Sequence, residues 1–421
     1  MVWILALTAA VAAPAPDVFF ITVDTLRADH LGMYGYERPT SPHLDALAAQ
    51  SLVFEDCVCE VPLTSPSFGS MLSSRFPRST ATPRNGLPMP VSVPLVTERF
   101  QAAGYQTICI QSNWTLKRDL SGLDRGFEQY DDGMNTKRWG VLKSERYADE
   151  VTRRAIAALG KRDAARPLFC WLHYSDPHAP YRFHDRFHPW GVPLRKLDEV
   201  AQTRARYDSE VAYTDHQIQQ VLEILPKENA FILFVADHGE SLHEHDYVGH
   251  GRRVYQPGVR IPLFVHGPGI EPGRTVRPAR AVDIGPTLLA LAGLEPLPGM
   301  DGIDLLNGEA PGHRVRVLET YGGAVPNLPG AMAVMSGQPP MRQAVIDGAW
   351  KLIAGGPRDE LFHLENDPEE LTNLYDERPE EVARLRTFLK EWDARVPRLD
   401  PQEAHLDEDD LEALENLGYI E

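Results

Sequence analysis

The sequence predicts an α/β protein: a mostly parallel sheet between helices, with a smaller C-terminal α+β subdomain. Three observations predict it. Short apolar runs recur with continuous rather than alternating hydrophobicity, as expected of strands buried on both faces. Between them lie stretches with three-to-four apolar spacing, the mark of helices with one buried side. Past residue 308 the pattern gives way to a Gly- and Pro-rich segment and then a hairpin pattern.

The strand candidates are residues 18–23 (VFFITV), 106–111 (QTICIQ), 168–173 (LFCWLH), 231–236 (FILFVA) and 261–265 (IPLFV). Residues 147–159 and 204–225 carry helical spacing, and 283–293 (DIGPTLLALAG) reads as a helix with Pro286 near its start. Strand alternating with helix gives a parallel sheet, whose ligands collect at the carboxyl ends of the strands. Asp24, residues 173–178 and Asp237-His238 all fall at such ends. Residues 308–341 read as a linker or long loop. Residues 342–353 (RQAVIDGAWKLI) read as a hairpin turning at Asp347-Gly348, and 379–392 as an amphipathic helix. The expected organisation is a signal peptide over 1–12, a catalytic domain over 17–308 and a C-terminal subdomain over 309–421.

The chain has 421 residues and a net charge of -18, which argues against a nucleic-acid partner. No apolar run approaches the roughly 20 residues of a membrane span, so no integral membrane segment is expected. Residues 1–12 (MVWILALTAAVA) are apolar, with Ala10-Val11-Ala12 at a small-residue cleavage position, so a secreted or periplasmic protein is expected. The four cysteines, at 57, 59, 109 and 170, lack the CxxC spacing of zinc or redox sites. Cys109 and Cys170 lie in strand-like runs and read as buried thiols.

Asp24 is read either as a helix cap or as a ligand. Asp237-His238-Gly239-Glu240 offers oxygen and nitrogen donors suited to a divalent cation, or a capping Asp beside a surface His. Thr64-Ser65-Pro66-Ser67-Phe68 opens a small-residue helix. With these segments stand residues 39–47 (PTSPHLDAL), Asp176-Pro177-His178, Gly249-His250-Gly251, Arg260-Ile261-Pro262 and 360–374 (ELFHLENDPEELTNL). In this collinear order the chain resembles the sulfatase branch of the alkaline phosphatase superfamily.

The resemblance implies an alkaline phosphatase-like fold and a small-molecule or glycan ester substrate. It implies one divalent metal ion (Ca, Mg, Mn or Zn) held by Asp24, Asp237, His238 and Thr64. Thr64 would be the nucleophile and His178 the acid that protonates the leaving oxygen. His250 stands where many members carry a lysine over the substrate, and Asn113 is a candidate donor to a substrate oxygen. His in place of the family's Asn ligand shifts the expected metal toward Mn or Zn.

Two departures bear on the substrate. Thr64 replaces the Cys or Ser that sulfatases convert to an aldehyde hydrate, and Phe68 replaces the arginine that holds it. A phosphothreonine can be cleared by in-line attack of water on phosphorus, whereas a sulfated threonine lacks the aldehyde-hydrate exit. The expected reaction is therefore hydrolysis of a phosphate ester, as a monoanionic diester or phosphonate monoester. The alternatives are a sulfuric ester hydrolase and a catalytically weak binding protein on the same fold.

Overall fold

The computed structural model describes residues 14–134, 145–308, 311–322 and 339–399. The 1–12 segment, on which the export expectation rests, lies outside the described residues. From edge to edge the main sheet runs Gly273–Thr275, Leu52–Phe54, Leu263–His266, Ala230–Ala236, Asp17–Val23, Leu168–Tyr174, Gln106–Ile110 and Gln129–Asp131. The five strands from Ala230–Ala236 to Gln129–Asp131 are parallel. Every residue of the central strand Asp17–Val23 is buried, which is why its sequence is a continuous apolar run.

The predicted 261–265 strand forms at Leu263–His266, antiparallel to both neighbours. The helices Ala148–Leu159 and Glu199–Leu222 pack together. Thr64–Ser73, Val96–Ala102 and Ile284–Leu291 form another group. All ten residues of Thr64–Ser73 are buried, and its serines and glycine let a helix sit this deep. A Cβ at Gly69 would lie 2.8 Å from the Met89 methyl.

One expectation fails in the C-terminal part. The 308–341 stretch is not all loop: Arg316–Thr320 is a strand, and every residue in it is buried. It pairs with Arg342–Asp347, followed by Trp350–Ala354 and Glu360–His363, in one antiparallel sheet. Its sequence carries Arg and Glu at buried positions, which hid the strand. Arg316 instead reaches the Asp56 carboxylate, and the Glu319 amide donates to Glu60 O at 2.8 Å. The hairpin turns at Gly348 with φ +59°, as Asp-Gly predicts. The helix Pro379–Arg395 covers this sheet with Val382, Leu385, Leu389 and Trp392, in a cluster shared with Phe76 and Val282.

Glu60 is buried beside the C-terminal sheet, its Oε1 facing the Val282 amide at 3.5 Å. Burial pushes its carboxyl up to about 8, with Arg280 opposing the rise and Asp283 adding to it. The folded state thus binds the proton more tightly than the unfolded chain, whose value is near 4.5. Stability is therefore lost as pH rises through that window. Glu60→Gln mimics the protonated side chain. It should raise the melting temperature by a few degrees at pH 9 and leave it nearly unchanged at pH 5. Equal shifts at both pH values would show that ionisation is not the cause.

Candidate active site and metal centre

The strand ends bring the predicted residues together. Asp24 follows the central strand, and its amide donates to Tyr174 O at 2.8 Å. Asp237 and His238 follow the neighbouring strand. Asp24, Asp237 and His238 place ligand atoms within 4.8 Å of one another, all buried. His238 Nε2 lies 3.7 Å from Asp24 Oδ1 and 3.4 Å from Asp237 Oδ2. Thr64, the first residue of its helix, puts Oγ1 3.4 Å from the same Nε2. Ser67 Oγ donates to Asp237 O at 2.7 Å and ties the helix to the strand end.

These residues fit a divalent cation. Asp24 Oδ1 and Asp237 Oδ2 are buried and have no hydrogen-bond partner among the described residues. A buried carboxylate oxygen without a partner is costly unless a positive charge meets it. His238 Nδ1 donates to Gly239 O at 2.9 Å, so Nε2 presents its lone pair to the carboxylates. Burial pushes this ring down to about 4, which keeps it neutral. Burial also pushes Asp24 up, but the His173, His178 and His238 rings outweigh it and hold Asp24 well below the usual range. Burial and the Asp24 charge push Asp237 well above it. Two ionised carboxylates are thus disfavoured side by side here, and a bound cation would offset that cost.

Gly239 is required by close approach. A Cβ there would lie 2.1 Å from Pro257 O.

His178 and His250 meet beside this cluster. His178 Nδ1 donates to Ala179 O at 2.6 Å and His250 Nδ1 to Pro62 O at 3.3 Å, since carbonyls only accept. Their Nε2 atoms face each other at 3.2 Å. A hydrogen bond across that gap needs one proton between the rings. Burial lowers His250 well below the ordinary value, with His238 and His178 adding to the effect.

Asn113 is also tied into the cluster. Its Nδ2 donates to Asp24 Oδ2, and its Oδ1 accepts from the Thr115 amide and hydroxyl at 2.8 Å each. The amide thus orients a carboxylate of the cluster. Phe68 is buried, its ring centroid 4.9 Å from those of Trp171 and His173. Asp176 Oδ2 accepts the Ala148 amide at 2.8 Å.

Sequence reasoning placed His173 at a strand end without giving it a role, and it missed two further contributors. His173 Nε2 lies 3.7 Å from Asp24 Oδ2. Asn85 Oδ1 accepts the Ser65 amide at 3.0 Å and so caps the Thr64 helix from a distant loop. Glu145 Oε1 lies 3.5 Å from His178 Nδ1. The HYSDPH run carried a signal for His173; the other two had none.

The hydroxyl stands among strand-end carboxylates and imidazoles on a mostly parallel sheet, and the fold is that of the alkaline phosphatase-like class, whose members here are ester hydrolases. The Sulfatase family pattern matches residues 16–294. The chain belongs to this family, whose members are metal-dependent ester hydrolases. It is similar to the ulvan-active sulfatase of Formosa agariphila, 26% identical over 75% of this chain and 70% of that protein. It is also similar to the choline-sulfatase of Rhizobium meliloti, 25% identical over 89% and 85%. Among solved structures, the phosphonate monoester hydrolase of Agrobacterium radiobacter shares the fold, with a TM-score of 0.70 and 19% identity over 90% of this chain and 95% of that one. No described helix is long and apolar enough to cross a membrane.

Proposed function

We propose that this protein hydrolyses monoanionic phosphate esters, diesters or phosphonate monoesters, with Thr64 as the nucleophile. The observation that carries the reading is the pairing of Thr64 and Phe68. Thr64 Oγ1 stands in the carboxylate and histidine cluster, while the Phe68 ring is buried against Trp171 and His173. The position where the family resemblance expects a guanidinium therefore adds no positive charge.

Asp24, Asp237, His238 and Thr64 would hold one divalent ion, which when bound supplies Lewis-acid activation of the ester. Asn113 and Ser67 fix the cluster around Thr64. Thr64 Oγ would give up its proton to solvent and attack phosphorus as the bond to the leaving oxygen breaks, and His178 Nε2 would protonate that oxygen. Water would then attack phosphorus in the Thr64 ester, releasing the phosphate monoester or the phosphonate and restoring the Thr64 hydroxyl. The relatives' names favour a sulfuric ester as the second reading.

One aryl sulfate, one aryl phosphodiester and one aryl phosphonate monoester, assayed side by side, test the choice. The phosphorus esters should give the higher kcat/KM, with an adduct on Thr64 after acid quench whose mass is that of the transferred phosphoryl or phosphonyl group with its retained substituent. Faster turnover of the sulfate with Thr64 unmodified would establish the second reading instead. Export rests on the apolar 1–12 segment. N-terminal sequencing of protein from the native host should begin at or close to Ala13.

A further inference from the structure

Glu145 lies beside the imidazole assigned above to acid catalysis, and nothing in the family pattern of this sequence pointed to it. Its side chain is 1% exposed, as is that of His178. Its backbone bridges Asn113, the residue whose amide donates to Asp24. The next residue, Arg146, locks that bridge. Its amide donates to Ser112 O at 3.1 Å, and its guanidinium donates to Gln111 O at 2.8 Å, Asp131 O at 2.9 Å and Gly133 O at 2.9 Å. Two residues further on, the Ala148 amide donates to Asp176 Oδ2, two positions before His178. The segment from Glu145 to Ala148 is thus fastened to residues 111–113 at its start and to the His178 loop at its end.

A carboxylate held this rigidly out of water needs a positive or donating neighbour to offset its desolvation. Glu145 Oε1 is 3.5 Å from His178 Nδ1, the nitrogen that also donates to Ala179 O. His178 Nε2 is on the opposite side of the ring and meets His250. An acid that delivers its proton from Nε2 must arrive with both nitrogens protonated.

We propose that Glu145 is a positioning residue for His178: its carboxylate fixes the ring with Nε2 toward the ester and offsets the charge of the protonated imidazole. In the step it supports, the Nε2 proton passes to the leaving oxygen as that oxygen departs with the bonding electron pair. The ring is left neutral, with its proton on Nδ1. The inference rests on the role assigned to His178 in the reaction proposed above.

The full-length protein is assayed as Glu145→Gln, Glu145→Asp, His178→Ala and the Glu145→Gln/His178→Ala pair. The substrates are phenyl and 4-nitrophenyl esters of one phosphonate, with the matching sulfates alongside. His178→Ala should slow the phenyl ester by about 10²–10⁴-fold, the usual worth of acid–base help. Glu145→Gln should slow the phenyl ester by roughly 10–100-fold, part of that same contribution, and the 4-nitrophenyl ester by much less. KM should be unchanged, and Glu145→Asp should recover part of the loss. The double variant should be no slower than His178→Ala alone. Equal losses on both leaving groups, or losses that multiply in the double variant, overturn the proposal.

Ring nitrogen NMR supplies a readout that needs no substrate. In wild type the His178 ring should show one orientation with the proton on Nδ1, and in Glu145→Leu a mixture. Identical ring spectra overturn the proposal whichever ester is cleaved. If wild type cleaves no phosphonate or sulfate ester while the spectra differ, the proposed reaction fails and the positioning of His178 stands.

Discussion

Thr64→Ala should lower kcat by about 10⁴–10⁶-fold, the scale seen when a hydrolase loses its nucleophile but keeps its binding site. Thr64→Ser should stay within roughly tenfold of wild type, because it keeps the attacking oxygen and removes only the methyl group. The reason is geometric. Thr64 is the first residue of a helix held at both its backbone and its neighbours: Asn85 caps Ser65, Ser65 Oγ donates to Thr115 O at 2.8 Å, and Ser67 ties the first turn to Asp237. Neither substitution disturbs those anchors, so circular dichroism and melting should change little. Loss of the acid-stable adduct together with activity would tie the chemistry to Oγ. An alanine variant with near wild-type turnover would remove Thr64 from the reaction.

The second large effect concerns the cluster of Asp24, Asp237 and His238. Wild-type protein should hold about one equivalent of divalent metal, and Asp237→Asn should weaken its binding by at least about 10²-fold, since even indirect supports of a ligand are worth 10–100-fold. The same substitution should behave in the opposite sense without metal. Burial and the Asp24 charge push Asp237 well above the ordinary carboxylate range, so its ionised form is disfavoured in metal-free protein. An amide removes that disfavoured charge. Metal-free Asp237→Asn should therefore melt at or above the wild-type temperature, yet fail to gain the rise that added Mn²⁺ or Zn²⁺ gives wild type. Metal content by elemental analysis and paired melts with and without chelator check both halves. An undiminished metal content in Asp237→Asn would exclude this cluster as the site.

Much of the frame was legible because burial leaves a one-dimensional trace. The strand of Asp17–Val23 is buried on both faces, and its run of apolar residues says so without any partner in view. The edge strand Gly273–Thr275 leaves no such trace: GRT is partly exposed, and only its pairing with Leu52–Phe54 makes it a strand. Arg316–Thr320 was read as loop for the related reason that Arg316 and Glu319 are buried through partners 260 and 24 residues away in sequence. Hydrophobicity patterns register a side chain's own solvation and carry nothing about a distant counter-ion.

The candidate site divides in the same way. The sequence by itself determined that Asp24, His178 and Asp237-His238 stand at the ends of buried strands, and that a hydroxyl on a small-residue helix accompanies them. Those are local properties, set by where apolar runs stop and by which residues can pack tightly. Only the tertiary structure decided what each side chain meets. It turned the Asn113 amide onto Asp24, buried Phe68 against Trp171 and His173, set His178 against His250 at 3.2 Å, and brought Glu145 beside His178. Hydrogen bonds and charge pairs fall off within a few ångströms. They are therefore fixed by the crossing of chain segments 30 to 200 residues apart, which the order of residues along the chain does not contain.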